Sequence, residues 1–362
     1  MPTAVEYINA MREQRNISFH MIQKYLTNNN LKSAVSLDKL VSYYSGTASQ
    51  DALQLQDINK AVLVLEKIYK DHLLYGNRTV FIYKIDKTQV DNVANLLKLL
   101  VANDAQKPEV LLFQNSYPFN IDSIQLDKIE IGTKFFIKEF DENNSIRVIS
   151  CTPRAYRKRF DIAPDALGDD YLEYDEIHAF KTGVNQAFDS IVLHKNDGTL
   201  EIQIDTSHPI SKDDLNNFRT SYNVLLQDNY RQSNKGVPIN IKALNIFSKI
   251  MNLYNEEEGN IVVLGHQTLT GSIKHEKMNS KDKNLKIEDF HTGGLHAVNN
   301  QIGIFAITKK YDSPKWSKKA KIGLLIDGGV RLIKADSPII NCVEFIDCVF
   351  SSDYNYLINK LI

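Results

Sequence analysis

Histidines and acidic residues are concentrated in one segment of the sequence. Four of the nine histidines lie there, with acidic residues among them that include Glu276, Glu288 and Asp289: the histidines are His266, His275, His291 and His296. Neutral imidazoles and carboxylates are ligands for zinc, manganese and iron, and a catalytic centre needs only three such protein ligands. The segment is therefore a candidate metal site for a hydrolase or nuclease, with the four histidines as candidate ligands.

The spacing within this segment leaves a second interpretation open. His291 and His296 flank a Gly-Gly pair, and a turn there would point both rings into one cleft. No two of the four histidines have the i, i+4 spacing of a specific helical metal motif. Loop histidines that bond to backbone groups give the same pattern, and the sequence favours them. His266-Gln-Thr also resembles half of the two-histidine phosphoesterase signature, but the sequence has no second His-x-Thr.

Lysines and one tryptophan form a second candidate site between two predicted strands. Six lysines and the only tryptophan fall within thirteen residues: Lys309, Lys310, Lys315, Trp316, Lys318, Lys319 and Lys321. In an exposed loop, such lysines neutralise phosphates while the tryptophan stacks on an unpaired base. The alternative is a tryptophan folded back onto its own sheet, with solvated lysines around it.

Two further basic patches extend the nucleic-acid hypothesis. Their residues are Lys274 and Lys277 in one predicted loop, and Arg154, Arg157 and Arg159 in another segment. Seven acidic residues and no basic residue lie between positions 161 and 176, and this run could fold over the arginines and mask them. Because the net charge of the whole chain is only −1, the prediction rests on charge segregation and not on total charge.

Arg15, Asn16 and His20 in the first predicted helix resemble the short Arg/His motif of the HEPN ribonuclease families. The resemblance covers six residues and implies a pair that polarises the 2′-hydroxyl of RNA and stabilises the phosphorane. An exposed arginine and a half-buried histidine on an amphipathic helix have the same spacing. We favour the second interpretation and predict that Arg15 and His20 do not form a ribonuclease site.

Several common active-site motifs are missing from the sequence. It contains neither the GxxxxGK[ST] loop nor GxGxxG, and GxSxG, HExxH and CxxC are also absent. A nucleotide-driven motor or a dinucleotide-binding enzyme is therefore not expected.

Apolar periodicity predicts the elements that position these residues. Positions 3–75 show helical spacing, with a capping box at Thr3 and Glu6 and a first helix that runs through Leu26. Further along, the pattern predicts strands at 80–85, 110–113, 133–140 and 145–150, a helix at 87–102, hairpin turns at Asp141–Asn144 and Asn196–Thr199, and a helix from Ser211. The last part is predicted as a helix at 240–254 followed by strands, with 330–334 as a strand after a Gly328-Gly329 hairpin turn.

This order of elements predicts the α+β class. A helical N-terminal region (1–76) precedes a mixed central α/β domain (77–232) and a mainly antiparallel, strand-rich basic C-terminal domain (233–362). The later strands lack the crossover helices that a parallel sheet requires.

Composition and cysteine content predict a cytosolic protein without a membrane span. Of 362 residues, 43% are hydrophobic and 24% are charged, which is the balance of a globular protein. The N-terminal segment lacks a signal-peptide core, and no run of about 18 apolar residues occurs. Cys151, Cys342 and Cys348 are too few for a disulfide framework, and the last two are predicted on one strand.

The sequence leaves three functions open. The first is a bacterial-type cytosolic accessory protein that binds nucleic acid, or a partner bound to nucleic acid, through its basic C-terminal domain. The second is a metal-dependent hydrolase or nuclease that uses the His266–His296 segment. The third is a protein-interaction subunit of a larger complex without nucleic-acid contact. Beyond these candidate metals, the cofactor is left unknown by the sequence.

Overall fold

A computed structural model describes residues 2–45, 55–142 and 144–362, without the side chains of residues 55, 158, 164 and 317–319. The helices are α1 (Ala4–Glu13), α2 (Phe19–Asn28), α3 (Leu37–Ser45), α4 (Leu55–Tyr75), α5 (Val90–Asp104), α6 (Pro108–Ser116), α7 (Ser123–Leu126), α8 (Lys212–Ser233), α9 (Phe247–Asn255), α10 (Asp289–Ala297) and α11 (Ser351–Ile358). The strands are β1 (Arg78–Ile85), β2 (Phe135–Glu142), β3 (Ser145–Ile162), β4 (Ile177–His194), β5 (Thr199–Asp205), β6 (Ile241–Ala243), β7 (Asn260–Thr268), β8 (Ile273–Lys277), β9 (Ile302–Ser313), β10 (Ser317–Asp327) and β11 (Cys342–Ile346).

One antiparallel sheet contains all of these strands. Its order is β2-β3-β4-β5-β1-β11-β10-β9-β7-β8, and β6 also pairs with β1. The predicted α+β class is confirmed. Strands of the predicted central and C-terminal domains share this sheet, and the division of the chain into three domains stays a prediction. Among the described residues, no helix has both the length and the apolar character needed to cross a membrane.

The N-terminal region is helical, as its apolar spacing predicts. The capping box between Thr3 and Glu6 is present, and no described residue before Arg78 belongs to a strand. The prediction of one helix as far as Leu26 is wrong, because α1 ends at Glu13 and Ser18 caps a separate α2. The backbone between them turns at Asn16, whose φ is 52°.

The strongest predicted hairpin is confirmed, and it joins β4 to β5. Gly198 has a φ of 68° in the turn, a conformation that L side chains rarely adopt. At the other predicted hairpin, β2 and β3 pair from Glu142 with Ser145 onward, and Asn143 lies outside the described residues.

Three predicted strand features are wrong. Residues 110–113 belong to α6, which begins at Pro108, because a short apolar run fits a buried helix as well as a strand. Residues 330–334 form a 3₁₀ helix. The Gly328-Gly329 pair therefore leads into that helix and does not join two strands.

Two other assignments near the C-terminus also differ from prediction. The helix predicted at 240–254 is divided into the short strand β6 and α9. Cys342 belongs to β11, but Cys348 lies beyond its end, and all three cysteines are free.

Helices cover the sheet in groups that create three hydrophobic clusters. α5 and α8 pack on β1, β3, β4 and β5, whereas α9 and α11 pack on β7, β9, β10 and β11. The N-terminal helices and α6 form the third cluster, which also contains Trp316. The β7–β10 part of the sheet and α9 therefore provide a packed base for the segment that carries the four histidines.

The β3–β4 hairpin extends beyond the rest of the sheet as an arm. β3 and β4 pair from Ser145 with His194 to Ile162 with Ile177, but β2 pairs with β3 only as far as Cys151. The acidic run predicted at 161–176 lies at the end of this arm. Asp161 Oδ1 lies 3.0 Å from Nε of Arg159, two residues before it on β3, and the folding of the acidic run over the arginines stays a prediction.

Candidate metal centre

His266, Glu276 and His291 meet at one place in the structure, and we refer to them as the His–Glu–His cluster. One nitrogen of each histidine and one carboxylate oxygen all lie within 4.8 Å of one another. His266 Nε2 is 2.5 Å from Glu276 Oε1, and His291 Nδ1 is 3.0 Å from Glu276 Oε2. Two of the four histidines predicted as ligands thus converge, together with an acidic residue of the same segment.

The β7–β8 hairpin brings His266 and Glu276 to one face of the sheet. His266 pairs with Lys274, and Glu276 lies two residues further along β8. Side chains two residues apart on a strand share a face, whereas adjacent residues point to opposite faces. His266, Lys274 and Glu276 therefore lie on one face, and His275 lies on the other.

α10 provides His291, and two other groups orient it. Glu288 caps the helix, and its carboxylate accepts a 2.9 Å hydrogen bond from the backbone N–H of His291. The His291 ring is buried, and its Nε2 lies 3.0 Å from the hydroxyl of Tyr254 on α9. Metal-binding histidines usually have their second nitrogen fixed by a hydrogen bond of this kind. Tyr254 provides that contact for His291.

The electrostatic state of the cluster suits a divalent cation. Burial alone would raise the pKa of Glu276, but hydrogen bonds from His266 and His291 outweigh it and keep that pKa below its ordinary value. Burial and the negative charge of Glu276 raise the pKa of Tyr254. At neutral pH the cluster therefore has an anionic carboxylate beside two imidazoles, with a neutral phenol behind one of them.

The distances between His291 and Glu276 are close to those between two ligands of one ion. Donor atoms at about 2.1 Å from a tetrahedral zinc ion lie roughly 3.4 Å apart. His291 Nδ1 lies 3.0 and 3.2 Å from the two oxygens of Glu276. His266 Nδ1 is buried and has no hydrogen-bond partner among the described residues. Two imidazoles and a carboxylate are the protein ligands of many catalytic zinc sites and of non-haem iron sites.

A pocket of about 500 Å³ opens beside the cluster. Lys274 and Glu276 on β8, His266 and Thr268 on β7, and Ile302 on β9 line its sheet side. The opposite side is formed by Asp289, Phe290, Gly293, Gly294, Leu295 and Val298, on or next to α10. The wall is mainly apolar, so the polar groups of the cluster face a largely apolar space.

His275 and His296, which were predicted as metal ligands, lie outside the cluster. His275 is exposed and its ring contacts that of Phe305, with the centroids 5.3 Å apart. His296 is exposed near the end of α10. The four candidate histidines therefore do not converge as a group, because strand alternation sends His275 to the opposite face of β8 and His296 is not among the three ligand-type residues that converge.

The predicted lysine-rich loop is a pair of strands, and its key side chains are buried. Lys309 is fully buried, and its ammonium donates to the Leu253 carbonyl at 2.7 Å and to the Glu256 carboxylate at 2.9 Å. Lys310 is buried against Asp347. Trp316 is only 8% exposed and packs between Tyr25 and Phe350. The prediction of an exposed loop in which Trp316 is a stacking platform is therefore wrong.

The remaining predicted nucleic-acid residues are dispersed. Lys315 is exposed, and Lys321 forms a 2.7 Å ion pair with Asp312. The side chains of Lys318 and Lys319 lie outside the described residues. Exposed residues are Lys274 and Lys277 on β8, and Arg157 and Arg159 on β3. Since β8 ends one side of the sheet and β3 lies next to the other end, these two patches are far apart in the strand order.

Arg154 is buried in a network of charged groups that we call the Arg–Asp network. Its members are Arg15, Arg154, Asp189, Asp205 and Tyr222. Arg15 donates to both carboxylate oxygens of Asp205, at 2.6 and 3.1 Å, and Arg154 donates to the Asp189 carboxylate. The Tyr222 hydroxyl donates to Asp189 at 2.8 Å. Placing Arg154 in a basic surface patch was therefore wrong.

The same network separates Arg15 from His20. Arg15 is buried between α1 and α2 and bound to Asp205, whereas His20 is exposed on α2. The prediction that they form no ribonuclease site stays a prediction. Burial alone would raise the pKa of Asp205, but Arg15 and Arg78 keep it well below the ordinary value.

Sequence reasoning missed Tyr254, the capping role of Glu288 and the pocket side of α10. The capping role of Glu288 could have been inferred, because it stands three positions before His291 at a helix start. No sequence pattern connects Tyr254 with His291, because the two residues are 37 positions apart. No protein-family model and no curated protein matches the chain, so the site carries the functional argument alone.

Proposed function

We propose that the chain is a metal-dependent hydrolase whose divalent ion is held by His266, Glu276 and His291. The observation that carries the proposal is the convergence of these three side chains within 4.8 Å on the wall of a pocket of about 500 Å³. Pockets of roughly 300–1,000 Å³ are typical of small-molecule sites.

Three protein ligands leave an ion with an open position, which distinguishes a catalytic site from a structural one. When bound, such an ion polarises a carbonyl or phosphoryl oxygen and lowers the pKa of a coordinated water toward 7. The chain's own residues support this use. Tyr254 and Glu288 fix the ring and backbone of His291, and Glu276 keeps its negative charge between the two imidazoles.

Nucleic-acid binding, the first function predicted from the sequence, has less support. Its central residues Lys309, Lys310 and Trp316 are buried, and Arg154 is paired inside the Arg–Asp network. The larger pocket of about 590 Å³ beside α8 is also a weaker candidate, because its Lys212 and Asp327 form an ion pair with one another.

The cytosolic location predicted from the sequence is part of the proposal. Three free cysteines, of which two are buried, are compatible with a reducing compartment.

The test is metal stoichiometry in matched variants. The chain is treated with a chelator and titrated separately with zinc, manganese and ferrous iron, with bound metal measured by calorimetry and elemental analysis. We expect one equivalent of at least one ion in the wild type, and at least a 100-fold weaker affinity in His266→Ala and Glu276→Ala. Hydrolysis of chromogenic carboxyl-ester, amide and phosphate-ester substrates is then compared with and without that ion.

His275→Ala and His296→Ala are the matched controls, because both histidines lie in the same segment but outside the cluster. We expect both to bind the ion as the wild type does. Equal loss in the controls, or wild-type binding by His266→Ala, contradicts the metal centre. A stoichiometric ion without hydrolysis of any substrate class contradicts the hydrolase assignment, and oxygen-dependent chemistry with iron would replace it.

A further inference from the structure

The pocket beside the cluster has two glycines that the fold itself does not require. Gly293 and Gly294 lie in the middle of α10, where glycine costs roughly 0.5–1 kcal/mol relative to alanine. Neither has a positive φ, and a Cβ placed on either would meet no atom within 4 Å. Since neither backbone conformation nor packing explains them, these glycines leave free space on the pocket side of α10.

The walls around this space are apolar. Leu295 and Val298 flank the glycines on one side, and Ile302 faces them from β9. Phe290 at the start of α10 is 71% exposed at the same pocket. A large exposed aromatic side chain at the edge of an apolar pocket is suited to covering an apolar ligand.

One cation lies on the same face as the cluster. Lys274 is directly opposite His266 in the β7–β8 register, and Glu276 is two residues beyond it, so all three point to the pocket side. Lys274 is exposed. The opposite face of the same strand carries Lys277, which does not line the pocket. A negative group of a bound molecule would therefore find a cation beside the cluster.

Building on the proposed function, we propose that the substrate is an anionic amide or ester with an apolar acyl portion. The acyl portion lies against α10 at Gly293 and Gly294, the carbonyl faces the His–Glu–His cluster, and the negative group is near Lys274. In the reaction the oxygen of water bonds to the carbonyl carbon and the bond from that carbon to nitrogen or oxygen breaks. One proton of the water passes to the departing atom, the other is released to solvent, and the acyl portion leaves as a carboxylate.

Binding of two matched probes tests this substrate class. 4-Phenylbutyrate and 4-phenylbutylamine share an apolar body and differ in the sign of their charge. Each is titrated into metal-free and zinc-treated protein, with bound zinc measured on the same samples. We expect 4-phenylbutyrate to bind the wild type at least tenfold more tightly than the amine, in both forms of the protein.

Three variants separate the two parts of the pocket. Gly294→Leu adds a side chain where a Cβ meets no atom within 4 Å, and it should abolish binding of 4-phenylbutyrate while zinc binding is retained. Lys274→Glu should weaken 4-phenylbutyrate by at least tenfold and remove its advantage over the amine. Lys277→Glu makes the same charge change on the other face of β8 and should bind both probes as the wild type does.

The possible failures are distinguishable. If zinc binds but Gly294→Leu still binds 4-phenylbutyrate normally, or if Lys274→Glu and Lys277→Glu behave alike, the substrate class is wrong and the metal centre stands. If no metal binds but the probes respond to Gly294→Leu and Lys274→Glu as expected, the pocket assignment stands and the hydrolase is wrong.

Discussion

The Arg–Asp network and the His–Glu–His cluster are both groups of buried ionisable side chains, but their bonding differs. In the Arg–Asp network, Asp205 accepts hydrogen bonds from Arg15, from the backbone of Phe188 and from both the backbone and the hydroxyl of Ser207. In the His–Glu–His cluster, a single carboxylate serves both imidazoles, and one nitrogen of His266 has no partner among the described residues.

The difference separates a structural use of buried charge from a chemical one. The Arg–Asp network joins the N-terminal helices to β5 through oppositely charged groups that neutralise each other. Its pair Arg15 and Asp205 is 190 positions apart in the sequence, so the network holds distant parts of the chain together. The His–Glu–His cluster has ligand-type atoms that are directed at one point and adjoin a pocket. Burial alone therefore does not identify a site, whereas converging ligand atoms beside a cavity do.

The largest effect is expected from Asp205→Asn in the Arg–Asp network. The change leaves the buried Arg15 guanidinium without its counter-charge, and breaking a buried pair in this way costs about 3–5 kcal/mol of stability. The free energy of unfolding in urea measures this. The control is Lys212→Ala, which breaks the ion pair with Asp327 on the surface and should change stability by less than about 1 kcal/mol. Similar values for the two variants would show that the Arg–Asp network is not structural.

A smaller effect on stability is expected from Glu276→Gln in the metal-free protein. Glutamine keeps the size of the side chain and can still bond to His266 and His291, so the loss should be about 1 kcal/mol. With free metal at 100 times the wild-type dissociation constant, the wild type should gain about 2.7 kcal/mol and the variant no more than about 0.4 kcal/mol. If Glu276→Gln lowers the stability of the metal-free protein as much as Asp205→Asn does, Glu276 has a structural role like that of Asp205.

The smallest effect concerns His194 and Glu201, a histidine–carboxylate pair next to the Arg–Asp network. His194 Nε2 is 2.8 Å from Glu201, which also accepts from Gln203 and Tyr354. The hydrogen bond to Glu201 raises the pKa of His194, although burial opposes it. The stability contributed by protonated His194 is therefore complete below its unfolded pKa of about 6.5 and is lost as the pH rises through the higher folded value.

Urea midpoints at pH 6 and pH 9 test this sign. The wild type should lose more stability between the two values than His194→Gln, because the variant has no group to titrate at that position. Titrating groups away from His194 and Glu201 are common to both proteins and cancel in the comparison. An equal loss in the two proteins would mean that Glu201 does not favour protonated His194.

The elements that could be predicted from the sequence are those specified by local signals. The capping box at Thr3, the Asp197-Gly198 turn and the N-cap at Ser211 all depend on neighbouring residues. For the same reason, the segment that holds the candidate metal centre was identified. The sequence did not show which of its residues converge, because strand alternation decides between His275 and Glu276 and depends on the β7–β8 register.

The errors concern side chains whose partners are distant in the sequence. Lysines at 309 and 310 were expected to be exposed, because burying an unpaired ammonium is costly. Lys309 is instead paired with Glu256, 53 positions away, and Lys310 is paired with Asp347. Trp316 lies against Tyr25 of α2, a contact that no local pattern predicts.

The position of β1 in the middle of the sheet has a consequence for the order in which the protein folds. β1 pairs on one side with β5 and on the other with β11, and the Asp347 backbone N–H donates to Asn77 across 270 positions of sequence. Contacts this distant slow folding, because the entropy of closing the intervening loop is lost before the pairing compensates for it. During synthesis, the edge of β1 that β11 later covers has unpaired backbone groups from Arg78 to Phe81, a segment that includes the apolar residues Val80 and Phe81. Such an edge can pair with other nascent chains, so this protein is expected to depend on chaperones more than its size suggests.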